Sequence, residues 1–108
     1  MVDACLDSLL RENYPAFEVI IVDNTDTGDF SPRASGDVRV RVVREARRGL
    51  SRARNTGIRS ARYEVLAFID DDVTVDSGWI RAIASALEDD SIAGVTGLIV
   101  PAELETEA

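Results

Sequence analysis

Histidine and lysine are both missing from this sequence. Their absence excludes a Ser-His-Asp triad, histidine zinc ligation, Schiff-base chemistry and a Walker-type phosphate loop, which needs its lysine. Cys5 is the single cysteine, so no disulfide can form within the chain. In its apolar helical setting it reads as a small core residue. No window approaches the roughly 18 apolar residues of a membrane span, and the amino terminus lacks a basic region followed by an apolar core. The expectations are no membrane span in this chain, no signal peptide and a cytoplasmic location.

What is present is an acidic chain of 108 residues with a formal net charge of −8. Binding to a phosphate backbone needs a basic surface, so nucleic acid is not an expected partner. A nucleotide stays open, because a bound cation reverses the local sign. Such a protein has to use a metal or focus its few arginines. The length suits one domain with one ordinary core, burying roughly two-thirds of the unfolded surface. Residues 1–108 are read as a single partial domain. Ala102 to Ala108 is acidic and without pattern, and is expected to be a disordered tail.

Periodicity gives the order of elements. Ala4 to Asn13 carries Cys5, Leu6, Leu9 and Leu10 at helical spacing, with Asp3 available as N-cap. Tyr14-Pro15 ends that helix, since the residue before proline avoids the α region. Phe17 to Val22 is a β-branched apolar run, read as a buried strand. Asp23 to Asp37 is rich in turn-forming residues and reads as a loop long enough to suggest function or mobility. Val38 to Val43 alternates Val and Arg, a strand with one wet face or an edge strand, and Glu45 to Gly49 is a polar turn.

Leu50 to Ala61 reads as a helix with Ser51 as cap and Ala53, Gly57 and Ala61 on its inner face. Glu64 to Ile69 is read as a second buried strand, followed directly by Asp70, Asp71 and Asp72. Ser77 suits the N-cap of a helix from Gly78 to Leu87, and Ile92 to Val100 is a last strand closed by Pro101. Alternating elements with apolar strands imply an α/β domain, a mainly parallel sheet flanked by helices.

In open α/β sheets, ligands bind beyond the carboxyl ends of the strands. Asp23 and Asn24 follow the first strand, and Asp70 to Asp72 follow the third. Three adjacent carboxylates repel one another unless solvated or neutralised. The triplet reads either as a solvated acidic turn or as a cation site; its position after an apolar strand favours the second. Alternate residues Asp70 and Asp72 share a side and suit Mg²⁺ or Mn²⁺, which bridges substrate phosphates. Arg47, Arg48, Arg52 and Arg54 lie before and within the second helix, either as diphosphate partners or as a solvated face. Arg52 and Arg59 read as solvated; Arg54 stays open between the two. Asn55 and Gly57 are poor helix formers inside a helix, and such choices mark close packing or a functional contact.

Four blocks together resemble family 2 glycosyltransferases. Phe17-Glu18-Val19-Ile20-Ile21-Val22-Asp23-Asn24 resembles the family's second strand, and Gly49 to Ile58 its "G-x-x-x-A-R-N-x-G" helix. Ala67-Phe68-Ile69-Asp70-Asp71-Asp72 is similar to the strand leading into its DXD motif, and Cys5 to Pro15 to its first helix with a "Y-P" turn. The resemblance covers nearly the whole chain and implies a truncated GT-A (Rossmann-like) fold. It implies a nucleoside-diphosphate sugar as donor, Mg²⁺ or Mn²⁺ as cofactor, and inverting transfer to an acceptor hydroxyl on a saccharide, lipid or protein. By the same resemblance Asp23 contacts the base, Asn24, Arg54, Asn55 and Asp71 support the nucleotide-sugar pocket, Asp70 sits near the ribose or donor sugar, and Asp72 with Asp70 binds the metal.

Family members begin with a strand bearing a "P-T-Y-N"-like turn, central between the strands matching Phe17 and Glu64. Here Met1 already stands at the first helix, so two strand edges are expected to lack a partner and to favour self-association. The family's acceptor half, with its catalytic base, is expected beyond Ala108. A non-catalytic nucleotide- or metal-binding remnant of the same fold is the second reading. A receiver-like signalling domain is a third, but it expects a late lysine and a lone acceptor aspartate, and neither is here.

Overall fold

The computed structural model describes residues 2–34, 36–91 and 94. The first helix, α1 (Val2–Leu10), buries Cys5, Leu6 and Leu9, as its spacing requires. It begins and ends earlier than expected, with a closing turn in which the Glu12 amide donates to the Leu9 carbonyl at 3.1 Å. Asp3 therefore lies in the first turn and not at the cap. Its carboxylate instead accepts the Arg33 amide at 3.2 Å and meets the Arg33 Nε at 3.1 Å.

Two polar groups of α1 and its closing turn tie it to the stretch from Val75 to Ile80. Ser8, only 1 % exposed, donates to the Cys5 carbonyl at 2.7 Å and accepts the Val75 amide at 3.1 Å. Glu12 is buried, and its Oε1 accepts the Ile80 amide at 2.6 Å. That amide belongs to the first turn of α3 (Trp79–Ala86), whose N-cap is Gly78 and carries no side-chain bond. The expected cap, Ser77, is thus replaced by a carboxylate brought from another element. A negative group there also faces the positive end of the helix dipole.

The strands β1 (Val19–Asp23) and β2 (Val40–Arg44) pair in parallel, in the register Val19↔Val40 to Asp23↔Arg44. A parallel pair needs a long crossover, and the loop read from Asp23 to Asp37 supplies most of it. Val42 is 40 % exposed, which agrees with the edge character read for β2. Helix α2 (Leu50–Ser60) packs on β1, with Gly49 and not Ser51 at its N-cap. Its buried residue is Thr56, while Ala53 and Gly57 are half-buried. A Cβ at Gly57 would stand 3.5 Å from Val22 Cγ2, an ordinary contact, so close approach does not by itself demand glycine there.

The expected buried strand Glu64–Ile69 is not one. Residues 65–70 form no ladder, and Val65, Leu66 and Phe68 are 52 %, 42 % and 54 % exposed. Among the described residues nothing pairs with this segment, and a strand without a partner has neither hydrogen bonds nor cover. Between it and β1 runs an apolar groove of about 520 Å³, reaching Ile20, Ile58, Leu66, Phe68 and Ile83. The expected strand Ile92–Val100 and the tail from Ala102 lie outside the described residues, apart from Gly94.

The groove has the apolar lining of a strand position in an α/β sheet. Burying a Val, Leu or Phe side chain contributes roughly 1.5–3 kcal/mol each. Joining an apolar strand with a "P-T-Y-N"-like turn to the amino terminus should therefore raise the melting temperature by roughly 10 °C or more. Differential scanning calorimetry against an extension of equal length with the apolar positions changed to Ser checks this. Equal melting of the two would show that the groove does not take the strand.

Candidate functional site

The carboxyl ends of β1 and β2 carry a polar network that sequence reading reached only in part. Asp23 ends β1 and is 4 % exposed. Its Oδ1 accepts the Thr25 hydroxyl at 2.6 Å and the Thr25 amide at 3.0 Å, and its Oδ2 accepts the Phe30 amide at 3.1 Å. These bonds, led by the Thr25 hydroxyl and joined by the Arg44 charge, hold the carboxyl below its ordinary value. Asp23 thus organises the loop from Thr25 to Phe30. Gly28 in that loop has φ of +69°, a conformation that favours glycine, and a Cβ there would stand 2.5 Å from the Arg44 Nε and push that side chain aside.

Asn24 uses every polar atom of its side chain. Its Nδ2 donates to the carbonyls of Glu45 at 2.7 Å and Arg47 at 2.8 Å, and its Oδ1 accepts the Gly49 amide at 3.3 Å. The expected polar turn Glu45–Gly49 is thereby fixed to the end of β1. Glu45 itself is 6 % exposed, the largest surprise of the site. Its carboxylate accepts the Thr56 hydroxyl at 2.7 Å, the Arg47 amide at 2.8 Å and the Arg47 guanidinium at 3.0 Å. The Arg47 guanidinium first, then the Thr56 hydroxyl, lower it to about 2. A signal was available: an acid two residues before an arginine recurs at Asp37 and Arg39, where the carboxylate again accepts the arginine amide, at 2.9 Å.

Arg54 and Asn55 are exposed on α2. The Arg54 guanidinium lies over the Phe68 ring, 5.8 Å from its centroid, and so reaches the segment that leads to Asp70. Arg48 pairs with Asp26 of the loop. Asp70, Asp71 and Asp72 are all exposed and begin a turn closed by the Val73 amide on the Asp70 carbonyl at 3.2 Å. The same carbonyl accepts the Cys5 thiol at 3.7 Å. Burial pushes that thiol up, and the charges of Asp71 and Asp72 add to the effect.

The structure therefore brings Asp23 and Asn24 together with the turn before α2, and Arg54 together with the segment before Asp70. Among the described residues, no hydrogen bond or ion pair joins Asp23 to the Asp70–Asp72 triplet, and no three acid or thiol groups converge on one point. Nor does any described helix have the length and apolarity to cross a membrane.

A parallel pair with helices alongside and polar residues gathered beyond its carboxyl ends defines a small α/β domain. The chain belongs to glycosyl transferase family 2, whose sequence model matches residues 1–107, and its fold is accordingly a partial GT-A domain. It is 38 % identical over 96 residues to the uncharacterized glycosyltransferase EpsJ of Bacillus subtilis, covering 84 % of this chain and 28 % of that protein. To the hyaluronan synthase of Pasteurella multocida it is 35 % identical over 95 residues, 82 % of this chain and 10 % of that one. To the glucosyl-dolichyl phosphate glucuronosyltransferase of Haloferax volcanii it is 30 % identical over 102 residues, 89 % of this chain and 32 % of that one. The chain thus spans about a third or less of the length of these relatives.

Glu45 titrates from an ordinary value of 4.5 in the unfolded chain to about 2 in the folded one. The folded state binds the proton less readily, so this carboxylate stabilises the fold above its unfolded value and ceases to do so as pH falls toward about 2. Glu45→Gln should melt below the wild type at neutral pH, with the gap closing as pH falls through that window. A gap of constant size in melts across the range would contradict the assignment.

Proposed function

We propose that this chain forms the donor-binding part of a glycosyltransferase, holding a nucleoside-diphosphate sugar for inverting transfer to an acceptor hydroxyl. The observation that carries the reading is the Asp70–Asp72 triplet. In a family 2 domain its carboxylates stand exposed, free of ion pairs among the described residues, at the end of an apolar segment tied to α2 through Arg54. Mg²⁺ or Mn²⁺ fits this donor set. Such ions are held by one or two carboxylates completed by substrate phosphates and water, so three converging protein ligands are not required.

Asp70 and Asp72 would hold the cation, whose chemistry when bound is to neutralise the diphosphate. Asp70 and Asp71 would face the ribose or donor sugar, and Arg54 and Asn55 would stand along the nucleotide. Asn24 and the loop held by Asp23 would form the base end. The acceptor oxygen bonds to the anomeric carbon as the bond from that carbon to the diphosphate oxygen breaks. The acceptor's proton passes to a base, and the nucleoside diphosphate departs.

The reading is tested by melting the chain with a panel of nucleoside diphosphates, with and without Mn²⁺. A ligand at a hundred times its Kd stabilises by about 2.7 kcal/mol, an upward shift of roughly 10 to 20 °C. The shift should appear for one base, require Mn²⁺, and vanish in Asp72→Ala. Retention of the full shift in Asp72→Ala would remove the cation role from that residue.

Asp23 is separable from the phosphates. Asp23→Ala should weaken binding of the bare nucleoside, measured by calorimetric titration, because the loop that forms the base end loses its anchor. A loss seen only with diphosphates would move Asp23 away from base recognition.

A further inference from the structure

We propose that Glu45 is a positioning residue for the donor site, joining Asn24 at the end of β1 to Arg54 and Asn55 on α2. The inference rests on the donor-site reading and deepens it. Glu45 makes bonds in three directions. Its amide donates to the Asp23 carbonyl at 3.0 Å, which continues the parallel ladder one residue past β2. Its carbonyl accepts the Asn24 side-chain amide at 2.7 Å. Its carboxylate accepts the Thr56 hydroxyl at 2.7 Å and the Arg47 amide at 2.8 Å.

Thr56 directly follows Arg54 and Asn55 and is the residue that α2 buries. A slide or rotation of α2 about that bond therefore carries both pocket residues with it. Asn24 is held from the other side by the carbonyls of Glu45 and Arg47 and by the Gly49 amide. In Glu45→Gln one oxygen remains an acceptor and the other becomes an NH2 donor, so the Thr56 hydroxyl and the Arg47 amide cannot both keep a buried acceptor, which the fold does not tolerate without movement. Helix α2 keeps its packing against β1, so the helix remains while its setting against Asn24 is lost.

Asp37 provides a matched control. Its carboxylate accepts the Arg39 amide at 2.9 Å and meets the guanidinium at 2.8 Å, the same local arrangement before the amino end of β2. Asp37→Asn weakens a comparable ion pair without touching Asn24 or α2.

The test compares Glu45→Gln, Thr56→Val and Asp37→Asn in the 108-residue chain. The readouts are melting temperature, amide hydrogen exchange at Arg47 and Gly49, and the Kd for nucleoside diphosphates with Mn²⁺. Glu45→Gln should raise Kd about ten-fold or more, the usual cost of losing a group that orients others, and should speed exchange at both amides. Thr56→Val should raise Kd while leaving the Arg47 amide protected. Asp37→Asn should lower the melting temperature alone. Equal effects of Glu45→Gln and Asp37→Asn on Kd, once each is corrected for stability, would overturn the positioning role. Should no diphosphate bind the wild type, the donor-site reading falls; unchanged exchange in Glu45→Gln separately overturns the bonds assigned to Glu45.

Discussion

The buried carboxylate of Glu45 is the constraint on which the carboxyl-end network depends. A carboxylate with so little exposure is costly unless its acceptor capacity is filled, and here Arg47 and Thr56 fill it. Its neighbours have no slack either. Asn24 satisfies three backbone groups with one side chain, and Asp23 ties Thr25 and Phe30 to the same strand end. In such a network each bond fixes the geometry of the next, and one missing member strands several others. The network sets the conformation of the long loop and the point at which α2 begins, including a Gly49 with φ of +131°.

The other half of the site rests on different supports. The segment before Asp70 has no ladder, so its position comes from α1, where Cys5 meets the Asp70 carbonyl, and from Arg54 over Phe68. A thiol bond and one cation–π contact of about 0.5–1 kcal/mol are weak beside a sheet. Ser8 and Glu12 hold the chain on the far side of the triplet by accepting the amides of Val75 and Ile80. The acidic turn is thus anchored well after it and lightly before it. The open apolar groove lies on that lightly held side.

Much of this was legible in the sequence, and the parts that were not share a cause. Period and composition located α1, α2, α3, β1 and β2, because those elements follow from local spacing of apolar residues. The parallel pairing followed from their order. The caps failed for a different reason. Asp3 and Ser77 have the right chemistry for capping, yet Arg33 claims the first, and Glu12 does for α3 what the second was expected to do. Partners so distant in sequence leave no local trace. The segment at Glu64 has the composition of a strand but not its partner, and composition records only the first. Glu45 was missed because a glutamate in a polar turn is usually solvated; only its spacing to Arg47 and the hydroxyl of Thr56 hinted otherwise.

Charge distribution bears on how an acidic domain would meet a diphosphate on the proposed donor reading. Six of the arginines, Arg33, Arg39, Arg41, Arg44, Arg47 and Arg48, already face carboxylates within ion-pair distance. Arg47 and Arg48, nearest the start of α2, would have to surrender Glu45 and Asp26 to take a phosphate, and the first exchange would dismantle the network around Asn24. Arg54 lies toward Phe68 and Arg52 is exposed in the first turn of α2, so two guanidiniums there stand against three aspartates. On the proposed donor reading, a divalent cation held by Asp70 and Asp72 would supply the positive charge that the paired arginines do not.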